Sequence, residues 1–222
     1  MNMERPTLKA EVKRMVMQAL ELQYISESCK DRIPTGNKYQ TLRFGDDSIQ
    51  GFRSDRRDIL KRLDFSGKKV LDLGSNLGEN SRAAREAGAS LVDGYEYDEY
   101  FIEIANFVNA INGVTRVSFY QRDITNAATF VEEYDIVLAF SVFTYLQNIM
   151  ATVAAKTKQV LLLETHGLTN NIDLYMNCIT PYLGSHRFLD TTDWGRNLDE
   201  KTSRAIIAFA RDEATLNNLL RV

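Results

Sequence analysis

The sequence predicts an α/β fold in which helices cover both faces of a mostly parallel sheet. Three observations carry that expectation. After Lys68, short apolar runs alternate with helical patterns at the spacing that strand–helix–strand units need. Several of these runs, such as DIVLAF at 135–140 and VLLL at 160–163, are apolar without alternation, as strands buried on both faces are. The 222 residues, 44% of them hydrophobic, suit a single domain that can fill a core.

Leu8, Val12, Met15, Val16 and Ala19 recur at helical spacing and predict an amphipathic helix over about 7–28. The next stretch, DRIPTGNKYQTLRFGDDSIQGFRS, is too aromatic for a plain linker and reads as an ordered loop or lid. A further helix begins with Ser54 as N-cap and buries Ile59, Leu60 and Leu63. Residues 1–64 are therefore expected to form a helical cap within the same domain as a core over 65–222. In that core Lys69–Leu73 is the first strand, followed by a glycine turn and a helix to about Ala87. Leu91–Glu96 is the second strand. Asp98 then caps a helix that buries Phe101, Ile102, Ala105, Val108 and Ile111 and stops at Asn112-Gly113. Val117–Gln121, Tyr134–Phe140 and Gln159–Thr165 make the third to fifth strands. Finally, HRFLDTT and RAIIAFAR read as a closing antiparallel hairpin.

Composition narrows the chemistry. The cysteines, Cys29 and Cys178, and the histidines, His166 and His186, are too few for a disulfide framework, a zinc site or a histidine cluster, so no metal is expected. No apolar run is long enough to span a membrane, and the first residues lack a hydrophobic signal core. The expected setting is the cytoplasm, with no membrane partner. A net charge of −3 makes no case for nucleic acid. One local exception is the run Arg53, Arg56, Arg57, Lys61, Arg62, Lys68 and Lys69, set against Asp55, Asp58 and Asp64. Its leading reading is a solvated helix face; the alternative is contact with an acidic or phosphorylated substrate.

In doubly wound sheets, ligands bind at the carboxyl ends of the strands, where strand order reverses. The turn after the first strand reads Asp72-Leu73-Gly74-Ser75-Asn76-Leu77-Gly78. It lacks the Gly-Lys-Ser/Thr ending of a phosphate loop. Asn76 replaces the second glycine of a dinucleotide fingerprint, and Asp72 would repel a pyrophosphate. S-adenosylmethionine, with an ammonium, a sulfonium and no phosphate, suits an acidic strand end beside a glycine turn. Glu96, 24 residues after Asp72, ends the second strand where an acid can accept from both ribose hydroxyls. Asp123, after the third strand, can accept from an adenine amino group, and Ser141 follows the fourth. Singly, each is an ordinary turn residue. In this order they make one ligand site.

On the motifs VLDLGSNLGEN, LVDGYEYD, FYQRDI, YDIVLAFSVFTYL and QVLLLETH, residues about 64–165 resemble the core of a class I S-adenosylmethionine-dependent methyltransferase. The pair HRFLDTT and RAIIAFAR extends the likeness. The resemblance implies a Rossmann-like, seven-stranded sheet with an antiparallel last strand, and S-adenosylmethionine as cofactor. It implies that Asp72, Gly74, Ser75, Asn76 and Gly78 wrap the methionine part. Glu96 would hold the ribose with Tyr97 beside it, Asp123 and Ile124 the adenine, and Ser141 would lie near the methyl donor. Asn76 departs from the glycine that many members carry.

Methyl transfer from a sulfonium is a direct displacement, so the protein mainly aligns an acceptor lone pair and excludes water. A base is needed only where the acceptor must lose its proton early. Ser141-Val142-Phe143-Thr144 stands where amino-methylating members carry (Asp/Asn)-Pro-Pro-(Tyr/Phe). Cys178 follows Asn177 and not a proline, unlike a cytosine-C5 nucleophile, and reads as structural. Ala139-Phe140-Ser141 offers no carboxylate for magnesium, so the chemistry is expected to be metal-independent. His166, after the fifth strand, is the candidate base, with Glu164 to orient it or to serve itself. Arg53, with Tyr39 and Gln40 in the lid, would pair the cofactor's carboxylate. The expected enzyme methylates a hydroxyl of a small molecule, sugar or natural product, acidic ones included. An RNA or tRNA methyltransferase using the 53–69 segment as phosphate footprint is one alternative. A non-catalytic partner subunit that binds S-adenosylmethionine or S-adenosylhomocysteine is the other.

Overall fold

Strands whose two side-chain rows are both apolar must be covered twice, and the chain builds the cover from its helices. The computed structural model describes residues 14, 40–44, 47–49, 55–166, 172–192 and 203–220. A hairpin of β1 (Leu42–Phe44) and β2 (Asp47–Ile49) precedes α1 (Asp55–Lys61). The core then runs β3 (Lys69–Leu73), α2 (Glu79–Glu86), β4 (Leu91–Glu96), α3 (Glu99–Ile111), β5 (Val117–Gln121) and β6 (Tyr134–Phe140). It continues with α4 (Phe143–Leu146), α5 (Met150–Lys156), β7 (Thr157–Glu164) and α6 (Ile172–Ile179). β8 (Ser185–Thr192), β9 (Arg204–Ala210) and α7 (Glu213–Leu219) complete it.

The main sheet has seven strands in the order β5-β4-β3-β6-β7-β9-β8. Strands β3 to β7 pair in parallel, and β9 runs antiparallel to both β7 and β8. This is the predicted sheet, with the last strand reversed. Along β3, Val70 packs on one face while Leu71 and Leu73 pack on the other. One face is covered by Ile59 and Leu60 of α1, Ala83 and Ala84 of α2, Ile102 and Ala105 of α3 and Leu216 of α7. Phe143 of α4, Met150 and Val153 of α5 and Tyr175 of α6 cover the other. Chain order reverses between β3 and β6, which places the switch point at the carboxyl ends of β3, β4 and β6.

Three expectations need correction. β7 begins two residues before the expected Gln159, because Thr157 already pairs with Tyr134 and its hydroxyl donates to the Val153 carbonyl at 2.8 Å. The lid contains a hairpin instead of only irregular chain. Phe44 pairs with Asp47 across Gly45-Asp46, a two-residue hairpin signal. Leu42 is wholly buried against Leu77, Ile104 and Val108, and the Asn112 amide donates to the Arg43 carbonyl at 2.6 Å.

The basic run is the third correction, since Arg56 and Arg57 are only 2% and 8% exposed. Arg56 lies three and four residues before Ile59 and Leu60 and so shares their buried stripe. Arg57 pairs with Glu79 and Glu86, Arg62 with Asp190, and Lys69 with Glu132. The helix expected over about 7–28, the Ser54 cap, Tyr39, Arg53 and Cys29 lie outside the described residues, apart from Arg14. Among the described residues, no helix is long and apolar enough to cross a membrane.

Candidate active site

A cleft of about 540 Å³ opens at the switch point, within the range of about 300–1,000 Å³ usual for small-molecule sites. Gly74 and Asn76 line it from the turn after β3, Glu96 and Tyr97 from the end of β4, and Asp123, Ile124 and Thr125 from beyond β5. Ser141, Val142 and Tyr145 follow β6, and Gln40 and Arg56 enter from the N-terminal segment.

The turn is left-handed at Gly74, Asn76 and Gly78, with φ of 65°, 51° and 78°. Asparagine tolerates that region better than most side chains, which accounts for Asn76 where a glycine is common. A Cβ on Gly74 would stand 2.6 Å from Val142 Cγ1, so the turn and the segment after β6 pack directly together. One on Gly78 would strike the Phe119 ring. On Gly94 it would lie 2.5 Å from Phe119 Cδ1 and 2.8 Å from Ser75 Oγ. Ser75 and Gly78 thus face the sheet, leaving Gly74 and Asn76 to meet a ligand.

Glu96 is fixed by three main-chain donors. Its Oε2 accepts from Asn76 N at 2.7 Å, and its Oε1 from Tyr97 N and Asp98 N at 2.8 and 3.0 Å. Burial pushes its carboxyl above the usual value, and these N–H groups oppose the shift. Asp72 lies behind the turn, 1% exposed, accepting from Ser81 Oγ at 2.5 Å. Burial drives it up to about 7, against the Ser81 hydrogen bond and the nearby Arg56 charge. Asp123, at the cleft edge, is held below its usual value by hydrogen bonds from Thr125.

The floor beyond Gly74 is a buried polar network. Ser141 has φ 62°, a conformation an L residue adopts at a cost of about 1–3 kcal/mol and one that clusters at functional sites. Its hydroxyl accepts from Arg56 Nη2 at 2.5 Å and Arg204 Nη1 at 2.7 Å, and donates to Glu164 Oε2 at 2.5 Å. Glu164 also accepts from Arg56 Nε at 3.0 Å, from Arg56 Nη2 and from Thr192 Oγ1 at 2.6 Å.

The predicted residues therefore separate. Gly74, Asn76, Glu96, Tyr97, Asp123, Ile124 and Ser141 share the cleft. Asp72, Ser75 and Gly78 support it from behind. Glu164 is wholly buried beneath Ser141. His166 is exposed past the end of β7, outside the cleft lining, where its main-chain N–H donates to Tyr175 Oη at 2.7 Å. Sequence reasoning missed Arg122, Arg204 and Tyr145, and named Arg56 only within the basic run. Only Arg56 left a readable trace, its place on the apolar stripe of α1. Among the described residues, no group of three or more His, Cys, Asp or Glu side chains is placed to hold a metal.

Comparisons with known proteins bear on the same segment. A family profile described as "Methyltransferase domain" matches residues 64–181. Over 98 residues the chain is 33% identical to the ribosomal protein L11 methyltransferase of Deinococcus radiodurans, covering 42% of this chain and 36% of that enzyme. The structure of WbdD, described as a bifunctional kinase-methyltransferase, matches with TM-score 0.62 and 19% identity, covering 77% of this chain and 44% of WbdD. A structure with S-adenosylhomocysteine bound matches with TM-score 0.58 and 17% identity, covering 79% of this chain and 54% of that one. The chain spans about a third to a half of the length of these relatives. With the profile covering more than half of its residues, the chain belongs to the methyltransferase-domain family.

Proposed function

We propose that this chain transfers a methyl group from S-adenosylmethionine to a hydroxyl of a small molecule, sugar or natural product. The observation that carries the reading is Glu96, presented to the cleft with its carboxylate already oriented by three N–H groups. The residues fit the cofactor. Glu96, held by three N–H groups at the edge of the turn, and the partly ionised Asp72 behind it make a turn that a phosphate would avoid and a cationic ligand would favour. Gly74, held without a side chain by Val142, leaves room for close approach.

When bound, S-adenosylmethionine supplies an activated methyl group on a sulfonium. The protein's residues orient and enclose it. Gly74 and Asn76 take the methionine part, supported by Asp72, Ser75 and Gly78. Glu96 accepts from the ribose, Tyr97 flanks it, and Asp123 and Ile124 take the adenine. Ser141, Val142 and Tyr145 shape the acceptor end, and Gln40 and Arg56 line the cleft from the N-terminal segment, which we assign to the same domain as the core. His166, which follows β7 outside the cleft lining, is our candidate base for an acceptor that reaches past the cleft and must lose a proton early, and Arg53 a candidate partner for the cofactor's carboxylate. Against a phosphate footprint over 53–69 stands the pairing, among the described residues, of Arg57, Arg62 and Lys69 with the chain's own carboxylates.

A protein acceptor is the second reading, favoured by the 33% identity to the L11 enzyme. Turnover of labelled cofactor against sugar, natural-product, ribosomal-protein and RNA pools separates these readings. Inactivity on every pool with intact S-adenosylhomocysteine binding favours a non-catalytic subunit. Glu96→Ala is expected to weaken S-adenosylhomocysteine binding about a hundredfold by calorimetry, through lost charge-assisted hydrogen bonds. His166→Ala is expected to lower kcat about a hundredfold or more with little change in cofactor affinity. Unchanged turnover would remove the base assignment.

A further inference from the structure

We infer that Glu164 and Arg56 are positioning residues: they clamp the turn at Ser141 against the glycine turn and so set affinity for the adenosyl ligand. The inference rests on reading the cleft as an S-adenosylmethionine site. Glu164 cannot readily serve as a base. A carboxylate has about four lone-pair sites, and those of Glu164 meet Arg56 Nε, Arg56 Nη2, Thr192 Oγ1 and Ser141 Oγ. It has no exposed surface, and a base must reach the proton it takes.

Ser141 is equally committed. A hydroxyl has one proton and two lone pairs, and all three are used, toward Glu164, Arg56 and Arg204. Its side chain is therefore an anchor, holding in place a main chain with φ 62° that relaxes elsewhere if released. Three elements distant in sequence, α1, β7 and β9, converge on that one hydroxyl. The effect reaches the ligand through one contact. Val142, the next residue, fills the space a Cβ on Gly74 would need, and Gly74 lines the cleft. A buried ion pair is weak evidence for stability, whereas a fixed geometry at a binding turn is what this one supplies.

The experiment is calorimetric titration of S-adenosylhomocysteine into the full chain. Wild type, Glu164→Gln and Arg56→Lys are compared, each with and without Ser141→Gly, with circular dichroism to check folding. Each single variant is expected to bind about tenfold more weakly, the loss of a charge-assisted hydrogen bond. Glycine adopts a positive φ unaided, so in the Ser141→Gly background the same substitutions are expected to change affinity by less than about threefold. Thr192→Val, which removes one hydrogen bond and leaves the ion pair, is the milder variant should the others misfold, and about a threefold loss is expected. Wild-type affinity in folded variants overturns the clamp, as does an equal loss in both backgrounds. A Glu164→Gln protein that binds normally but has lost turnover returns Glu164 to the role of base. Wild type that binds no S-adenosylhomocysteine overturns the adenosyl reading itself, and the clamp with it.

Discussion

Asp72 stands where a carboxylate is hardest to ionise, wholly enclosed between the first strand and Ser81. Its pKa rises from 3.8 to about 7 on folding, so the folded protein holds an extra proton between those values. Stability linked to this residue is therefore highest below about pH 4 and falls as pH rises to about 7, by at most roughly 4 kcal/mol. In Asp72→Asn that part of the dependence is expected to vanish, which chemical denaturation of both proteins between pH 5 and 8 measures. Legibility at this scale followed sequence proximity to strand ends. Gly74, Asn76, Glu96, Asp123 and Ser141 each sit one turn from an apolar run, so a local pattern exposes them. Arg56 acquires its meaning from Glu164, 108 residues away, and no local pattern encodes that pairing. For Glu164, its position at a strand end was visible, but the four hydrogen bonds that occupy it were not.

At the scale of elements, two-sided burial made the core strands readable. Val70 and Leu71 point to opposite faces, and both faces demand apolar side chains. The β1–β2 hairpin escaped because it is only three residues a side, with Arg43 and Ser48 interrupting its apolar row. What holds it is tertiary. Leu42 enters a pocket of Leu77, Ile104 and Val108, and Arg43 pairs with Glu79 at the start of α2. Leu42→Ala is expected to cost about 2–5 kcal/mol if the hairpin stays docked. If it detaches instead, hydrogen exchange should rise at Leu42–Phe44 while the β3–β4 amides stay protected.

The whole molecule shares one interior across the boundary at which the family profile begins. Ile59, Leu60 and Leu63 belong to the same cluster as Val70, Val92 and Ile206. Removing residues 1–64 exposes those three sites, about 6 kcal/mol of apolar burial, and leaves Glu164 without Arg56. Against a total stability of about 5–15 kcal/mol, the 65–222 fragment is expected to lose cooperative unfolding. A sharp, single thermal transition in that fragment would show that the N-terminal segment is separable. The reversed strand carries one more consequence. Among the described strands β8 pairs with β9 alone, and β9 is made after it. While a ribosome extends the chain at about 5–20 residues per second, β8 waits without a neighbour. Arg204 arrives with β9, so a nascent chain that already has Gly74, Asn76 and Glu96 still has an unfinished floor. The order of synthesis thus leaves one edge of the sheet and one donor to Ser141 to be supplied last, by the same strand.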